Sequence, residues 1–595
     1  MLVKVIKICD KSAGVFMETV FAIEDESFKL CISDDFSKHN FVPIKRKTEL
    51  TVCKNSFAAF QVVILSDAAT AINTGIQPWF SELEDVSNIR LSHIGELDAK
   101  LFHLDIHHDD TPFYYADALL RQSVVQVGEN VPHSVYVEIP ISDKLEAKKY
   151  SGKIRIYGSK LFEDEEILGE LIYTIDVKDI ILPKPKDRDF YLDLWQHNSN
   201  IARKAEVTIW SDEHFEIIEK YIKTLADIGQ RAITVIATEI PWCGQRCFQI
   251  KDTPSNLFEY SMISVKKNSN RTYSYDYSVM DRYIELCMKY GIDEEIEVFG
   301  LLGIWQSVTD GYYNYTDYCD VLRIRYEKPD GTYSYMQKAK DIENYIVALQ
   351  NHFIEMGWID KVRVTADEPS EKEVFEISFN RLQKLAPKFK YKSAIGKFEF
   401  YDSFKGTISN FAPSLLSFMN EYDDFSKVAK NDLDSHFVWY VCCSPQAPNT
   451  YLHSSLLETR YIAVLTHFCG LKGLLRWNYT VWPENPRKDI RYSMFAAGDT
   501  NFVYPAGDMS PLLTLRYKIL ERSIEDFELL QMVKKSGDEK TVNDVYDKII
   551  LYRDFNNFFN GNINQIQFKK MTTTKISDWY DMRNILYKSI EKKEN

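Results

Sequence analysis

Residues 361–371 read KVRVTADEPSE, and the reading of the whole chain starts from them. A short β-branched run, Val362 to Thr365, has the stiff side chains that suit a pleated strand. It leads directly into Asp367 and Glu368. Pro369 then removes a ladder donor and fixes φ for a helix start. The stretch is therefore the end of a strand, carrying two adjacent acids, at the threshold of a helix. Carboxylates at a helix start also complement its dipole, so the triplet alone does not establish chemistry.

Outward from this unit, the segment beyond about residue 188 alternates strands with amphipathic helices, the signature of βα units and a parallel sheet. Eight strand candidates can be read: Phe190 to Trp195, Ala232 to Ile236, Ile296 to Leu301, Val362 to Thr365, Tyr391 to Ile395, a weaker one near Thr407 to Phe411, Phe437 to Cys442, and Gly473 to Trp477. Eight is the strand number of a (β/α)8 TIM barrel. Between them lie helical patterns over Asp212 to Ile228, Met280 to Tyr290, Asp341 to Met356 and Leu457 to Cys469, and a long amphipathic helix over Leu512 to Met532 follows. In such a barrel the loops at the C-terminal strand ends converge on one mouth. Those ends read WQHN (195–198), EIPW (239–242), IWQ (304–306), the acid pair, WYVCC (439–443) and RWNY (476–479). Trp195, Trp242, Trp305, Trp439 and Trp477 thus gather around Asp367 and Glu368. Flat aromatic rings hold the apolar faces of sugars, so the combination describes a glycosidase better than a hydride-transfer or phosphate site. No Gly-rich phosphate loop and no Gly-x-Ser-x-Gly elbow is present in the sequence.

The preceding residues, 1–187, read as short strands and turns, with period-2 segments at Ser134 to Ile139 and Lys153 to Tyr157, and predict an all-β sandwich. The segment ILPKPKDRD (181–189), with two prolines amid charges, marks the linker to the barrel at 188–530. Residues 531–595 read as a mainly helical extension. HLDIHHDD (103–110) places His103, Asp105 and His107 on one strand face, which suits a solvated or interdomain edge better than a metal site. Ten cysteines are scattered, and Cys243 and Cys247 lack the further ligands a zinc site needs. Neither a metal nor a cofactor is expected. A net charge of −15 argues against a nucleic-acid partner. MLVKVIKICDKSAG (1–14) alternates apolar and charged residues like a strand and unlike a signal peptide, and no run has the length of a membrane helix, so a cytoplasmic protein without membrane insertion is expected. The oligomeric state is left open.

Several of these words together resemble glycoside hydrolase family 123, the β-N-acetylgalactosaminidases. They are WQHN after a linker, PWCGQ (241–245), YDYSVMDRYIELCMKYGI (275–292), FIEMGWIDKVRVTADEP (353–369), WYVCCSPQAPNTY (439–451), GLLRWNYTVW (473–482) and GDTNFVYPAGDMSPLLTLRYKILERSIEDFELL (498–530). YYADALL (114–120), VPHSVYVEIPI (131–141) and YSGKIRIYG (150–158) are similar to the family's sandwich domain. One departure is Asp117, flanked by Ala116 and Ala118 where the family would have proline, and it is expected to concern a remote domain. The resemblance implies an exo-acting enzyme that removes terminal β-linked N-acetylgalactosamine with retention, through an oxazolinium formed by the substrate's own acetamido group. The substrate would be an oligosaccharide or a glycolipid glycan. Asp367 would orient the acetamido N–H, and Glu368 would protonate the leaving oxygen and then activate water. Trp195, His197, Trp242, Trp305, Trp439, Trp477 and Asn478 are the candidate sugar-binding residues, with turn chemistry the alternative for Asn478 and a structural imidazole the alternative for His197. Cys442 and Cys443, adjacent and so not easily bridged to each other, read as packing residues and not as nucleophiles. A glycosidase for another β-linked 2-acetamido sugar, or an inactive carbohydrate-binding protein on the same fold, are the competing readings.

Overall fold

The computed structural model describes residues 19–83, 85–242, 257–302, 316–369, 371–492, 495–557 and 568–594. The strand expected within residues 1–14, the pair Cys243 and Cys247, and Trp305 lie outside the described residues.

Up to Ile181 the described chain forms two six-stranded sheets, largely antiparallel. The period-2 segments fall within the strands His133–Ile141 and Lys149–Lys160, each longer than its pattern suggested. Phe21, Val62, Val135 and Val137 of one sheet share a core with Leu50, Ile154, Ile156 and Ile175 of the other. The first sheet also buries its outer face, where Ala59, Val63, Leu104 and Ala116 meet Leu456, Leu515 and Ile519 from much later in the chain. The proline-rich joint is ordered. Pro185–Asp187 make one turn of 3₁₀ helix, Arg188 is buried, and the Asn55 side chain donates to the Leu182 carbonyl.

Eight parallel strand segments follow: β1 (Tyr191–Leu194), β2 (Ala232–Ile236), β3 (Glu295–Phe299), β4 (Val362–Ala366), β5 (Lys390–Ile395), β6 (Asn410–Pro413), β7 (His436–Phe437, resuming as Trp439–Tyr440) and β8 (Gly473–Arg476). Strands β2 through β7 pair in chain order, β7 pairs with β8, and β8 pairs with β1. A bridge from Leu192 to Gln230 ties β1 to the residue two before β2. The β8–β1 junction is close: a Cβ on Gly473 would lie 1.8 Å from the Tyr191 carbonyl oxygen, so only glycine fits there.

Helices connect these strands: α1 (Asn198–Ala205), α2 (Asp212–Ile228), α3 (Ser278–Lys289), α4 (Ala339–Glu355), α5 (Lys372–Leu385), α6 (Phe398–Phe404), α7 (Leu415–Asn420), α8 (Tyr422–Asn431) and α9 (Leu456–Cys469). Local chemistry accounts for their ends. In α2 the Ser211 hydroxyl accepts the His214 N–H, Gly229 closes the helix in the left-handed region, and Phe215, Ile218, Ile222 and Leu225 make the buried stripe. The weak sixth strand begins three residues later than its pattern, because the N–H groups of Thr407 and Ile408 both bond back to Phe404 at the end of α6. A small four-stranded sheet, Ser264–Lys267, Tyr273–Asp276, Arg325–Glu327 and Tyr333–Tyr335, was not expected. Its second hairpin turns at Pro329, Asp330 and Gly331, a turn signal lying inside a stretch otherwise read as a connection.

After β8 come α10 (Leu515–Lys535), α11 (Glu539–Ile549), α12 (Phe568–Met571) and α13 (Ile576–Glu594). The reading of α10 as amphipathic needs correction. It is buried nearly all round, because the N-terminal sheet, α9 and α13 all pack on it. Its charges are consequently paired. Arg516 bonds Asp117, Arg522 bonds Glu26 and Glu525, and Arg583 of α13 bonds Glu525 and Asp526. Among the described residues no helix is long and apolar enough to cross a membrane.

Two cations are buried within the described parallel strands, Arg476 of β8 and Lys392 of β5. Lys392 of β5 reaches Asp193 of β1 at 2.6 Å, and Glu297 and Glu295 of β3 at 2.5 and 3.2 Å. Burial alone would lower the lysine pKa, but the three carboxylates outweigh it and hold it well above its ordinary value. Burial and the neighbouring Asp193 push Glu297 well above the usual carboxylate range, with Lys392 opposing them. Replacing Lys392 by Met strands these acids without a cation and is expected to lower stability by about 3–5 kcal/mol. Denaturant unfolding should find the loss largest at alkaline pH and diminished in acid, since protonation removes the uncompensated charge.

Candidate active site

The end of β4 is built to aim two acids at one place. Along a strand, successive side chains alternate between faces, so Asp367 and Glu368 would diverge if the strand continued. Glu368 instead adopts φ +44°, in the left-handed region that side-chain-bearing residues avoid at a cost of about 1–3 kcal/mol. Pro369 follows, and the turn brings both carboxyl groups to the wall of one cavity of about 500 Å³, open to solvent.

Other strand ends complete the wall. Trp195 follows β1, Trp242 follows β2, Ala394 lies in β5, Tyr440 ends β7 with Cys442 and Cys443 just beyond, and Leu475 and Trp477 come from β8, with Phe495 behind Trp477 at 4.9 Å. Trp195 and Trp242 are buried against each other and against Phe299, with ring centroids 4.9–6.0 Å apart. The Trp195 indole N–H and the Tyr440 hydroxyl have no hydrogen-bond partner among the described residues, while the Trp242 indole faces Asp367. A buried donor left unsatisfied costs about 1–3 kcal/mol, so two such groups at one cavity favour a polar ligand that accepts from them.

The acids are perturbed in the same direction. Burial, and then the adjacent Glu368 charge, push Asp367 well above the usual carboxylate range, opposed only by the nearby Trp242 indole. Burial raises Glu368 as well. Two carboxyls side by side in a poorly solvated wall cannot both ionise cheaply, so the pair retains one proton above the pH at which free carboxylates lose theirs.

The structure brings together Asp367, Glu368, Trp195, Trp242 and Trp477 from among the residues singled out in the sequence. It places Trp439 elsewhere. The Trp439 indole donates to Thr466 Oγ1 and packs edge-on against Phe418, on the helix side of β7, while its neighbour Tyr440 faces the cavity. His197 is buried behind the wall. Its Nε2 lies 2.8 Å from the Trp477 carbonyl oxygen, its Nδ1 lies 3.6 Å from Glu259, and its ring meets Trp242 and Trp477 edge-on, so it props the two indoles. Asn478 is also buried and accepts the Thr480 N–H through Oδ1, which is turn chemistry. Tyr440, Ala394, Leu475 and Phe495 had no distinguishing signal in the sequence beyond the position of the first three near strand ends. Among the described residues no three His, Cys, Asp or Glu side chains lie together as a metal-binding group.

Asp117 is not remote from this site. Arg516 grips the Asp117 carboxylate at 2.8–3.2 Å and donates through Nη1 to the carbonyls of Gly498 and Asn501. Asp499, within that turn, pairs with Arg476 of β8, and Arg476 donates to the Val441 carbonyl, one residue before Cys442. His107 and Tyr504 stack beside the same carboxylate, and the Tyr504 hydroxyl donates to it. The histidine-rich strand faces the same way, with Asp105 on Arg487 and Asp109 on His453.

Two outcomes follow from this geometry. Tyr440→Phe should weaken ligand binding or turnover while leaving the thermal midpoint nearly unchanged, whereas Trp439→Ala should lower stability by about 3–5 kcal/mol, as large buried aromatics do. Carbon-13 NMR of labelled carboxyls should find the last proton of the pair leaving above the ordinary carboxylate range. In Glu368→Gln the Asp367 carboxyl should titrate at lower pH, because the neighbouring charge that opposed its ionisation is gone.

The family model for the glycoside hydrolase 123 catalytic domain matches residues 195–533, more than half of the chain. A solved family 123 glycoside hydrolase from Clostridium perfringens, described in connection with glycolipid glycan hydrolysis, aligns with a TM-score of 0.72 at 17% identity, covering 96% of this chain and 97% of that one. A β-D-glucuronidase from Dictyoglomus thermophilum aligns at a TM-score of only 0.30 and 11% identity, over 79% of this chain and 68% of its own, and carries no weight. Among curated proteins none matches. By the extent of the family match, the chain belongs to glycoside hydrolase family 123.

Proposed function

We propose that the protein is a retaining exo-glycosidase that removes terminal β-linked N-acetylgalactosamine, with its parallel strands closed as a (β/α)8 barrel and the cavity at the barrel's mouth. One observation carries the mechanism. Asp367 and Glu368 are the only acids among the described residues lining the cavity, and they are adjacent in sequence. An ordinary retaining enzyme needs two carboxyls facing each other about 5 Å apart across the anomeric carbon. Neighbours on one strand end do not supply that arrangement, but they suit a substrate that brings its own nucleophile.

In this reading the protonated Glu368 gives its proton to the glycosidic oxygen as the C–O bond breaks. The acetamido carbonyl oxygen attacks the anomeric carbon and closes an oxazolinium ring. Asp367 accepts a hydrogen bond from the acetamido N–H and stabilises the positive charge that develops there. Glu368, now a carboxylate, takes a proton from water as that water opens the ring from the other side. General acid–base help of this kind is worth about 10²–10⁴ in rate. The indole faces of Trp195, Trp242 and Trp477 would pack against the sugar, and the Trp195 indole N–H and the Tyr440 hydroxyl would bond its oxygens. The aglycone would be an oligosaccharide or a glycolipid glycan, the latter in keeping with the clostridial relative.

Chromogenic β-GalNAc, β-GlcNAc and β-Gal substrates test the reading. Turnover of β-GalNAc is expected, with at most trace activity on β-Gal. Equal rates on β-Gal would end the substrate-assisted mechanism, a preference for β-GlcNAc would move the assignment to another 2-acetamido sugar, and binding without turnover would leave a lectin on the same fold. Asp367→Asn and Glu368→Gln should each lose most turnover while remaining folded, and azide should rescue neither through a glycosyl-enzyme adduct.

A further inference from the structure

Two thiols in the cavity wall take no part in the chemistry above. The sulfurs of Cys442 and Cys443 lie 3.6 Å apart, both residues line the cavity that holds Asp367 and Glu368, and Cys443 is exposed. We propose that Cys442 and Cys443 form a redox-modified dithiol, closed to a disulfide by a hydroperoxide and reopened by a small thiol, whose closed form reshapes the wall beside Glu368 and stops turnover. The consequence for turnover rests on the glycosidase reading; the modification itself does not.

The two sulfurs divide the roles. Cys443 is the accessible one, and the hydrogen bond from Cys442 favours its thiolate, drawing its pKa down against the effect of burial. That same interaction, with burial, keeps Cys442 protonated well above the ordinary range. Thiolate character and exposure select the first sulfur to be oxidised. The Cys443 sulfur attacks one peroxide oxygen, the O–O bond breaks, and the other oxygen leaves as water or alcohol after taking a proton. Cys442 then attacks the sulfenic sulfur, the S–O bond breaks, and the hydroxide departs as water with the Cys442 proton. Overall two thiols and one hydroperoxide give one disulfide, one water and one alcohol, or two waters from hydrogen peroxide.

Hydrogen bonds hold the main chain beside the sulfurs. The Cys442 carbonyl accepts the Asn449 amide at 2.8 Å and the Tyr451 hydroxyl at 2.6 Å, and the Val441 carbonyl is held by Arg476 at 2.7 Å. Contraction of the sulfur pair to a bond of about 2.05 Å must therefore displace the side chains that form the wall. Neighbouring Cα atoms are also only about 3.8 Å apart, below the roughly 4.4–6.8 Å usual for a disulfide, so the bridge is strained and easily reduced. Closure also removes a thiolate whose charge raises the pKa of Asp367.

The full-length protein, exposed to hydrogen peroxide, quenched by alkylation and mapped by peptide mass, tests the site. The peptide carrying Cys442 and Cys443 should lose two hydrogens and both alkyl groups at least about tenfold faster than exposed Cys319 is oxidised, since thiolate fraction governs the rate. Dithiothreitol should restore both thiols. In Cys442→Ser, Cys443 should stop at a sulfenic acid trapped by dimedone, and in Cys443→Ser, Cys442 should stay reduced. Both thiols still alkylated when Cys319 is oxidised, or unchanged oxidation of Cys442 in Cys443→Ser, would overturn the proposal. Turnover of a β-GalNAc substrate should fall in step with the disulfide and return with reduction. Full turnover in the disulfide form would overturn the coupling to the cavity. A disulfide in a protein that never turns over sugar upholds the modification site and counts against the glycosidase reading alone.

Discussion

The buried charges of α10 are the constraint on which the rest of the molecule depends. A helix covered nearly all round cannot leave a buried arginine or glutamate unpaired, since a lone buried ion costs several kcal/mol. Each charge of α10 therefore dictates where another part of the chain must lie. Arg516 fixes the N-terminal sheet through Asp117, Arg522 fixes it again through Glu26, and Glu525 and Asp526 hold α13 by Arg583 and α9 by Arg460. Such pairs contribute little net stability against an apolar alternative, but they make mispacking expensive. Registration of the N-terminal sheets on the parallel strands is thus set by matched ions, with the apolar contacts around Leu515 and Ile519 filling the space between.

Through Arg516 the same network reaches the cavity. The turn at Gly498 to Asn501 hangs from that guanidinium, Asp499 carries the connection to Arg476, and Arg476 holds the chain just before the two cysteines. The cavity wall on the β7 and β8 side is accordingly held by charge, whereas the opposite side, with Trp195, Trp242 and Phe299, is held by ring packing and propped by His197. The left-handed backbone at Glu368 lies where β4 ends, and these two supports keep its neighbours in place while it remains strained.

Much of this was legible in the sequence for simple reasons. Seven of the eight strand segments announce themselves as short β-branched or aromatic runs, and the acids at the end of β4 stand beside a proline that stops the strand. The sixth strand slid because a turn after α6 consumed the residues that looked extended. Trp439 and Tyr440 illustrate a harder limit. Side chains in a strand alternate, so choosing which of two adjacent aromatics faces the cavity needs the parity of β7, and Val438 interrupts that strand between its two pairing segments. His197 and Asn478 lie beside the site in sequence but turn into the wall. Asp117 seemed distant because it precedes Arg516 by hundreds of residues, and only the folded chain brings the two carriers of charge together.

The cover that α10 receives has a consequence for where this enzyme can be cut. The family match begins at Trp195 and ends at residue 533, which invites treatment of that span as a module. Yet Leu456, Leu515 and Ile519 would lose the sheet that shields them, and Arg516 and Arg522 would lose their counter-ions Asp117 and Glu26. The span is a unit of ancestry and not a unit of folding. Its boundary in sequence runs through the middle of a single physical core.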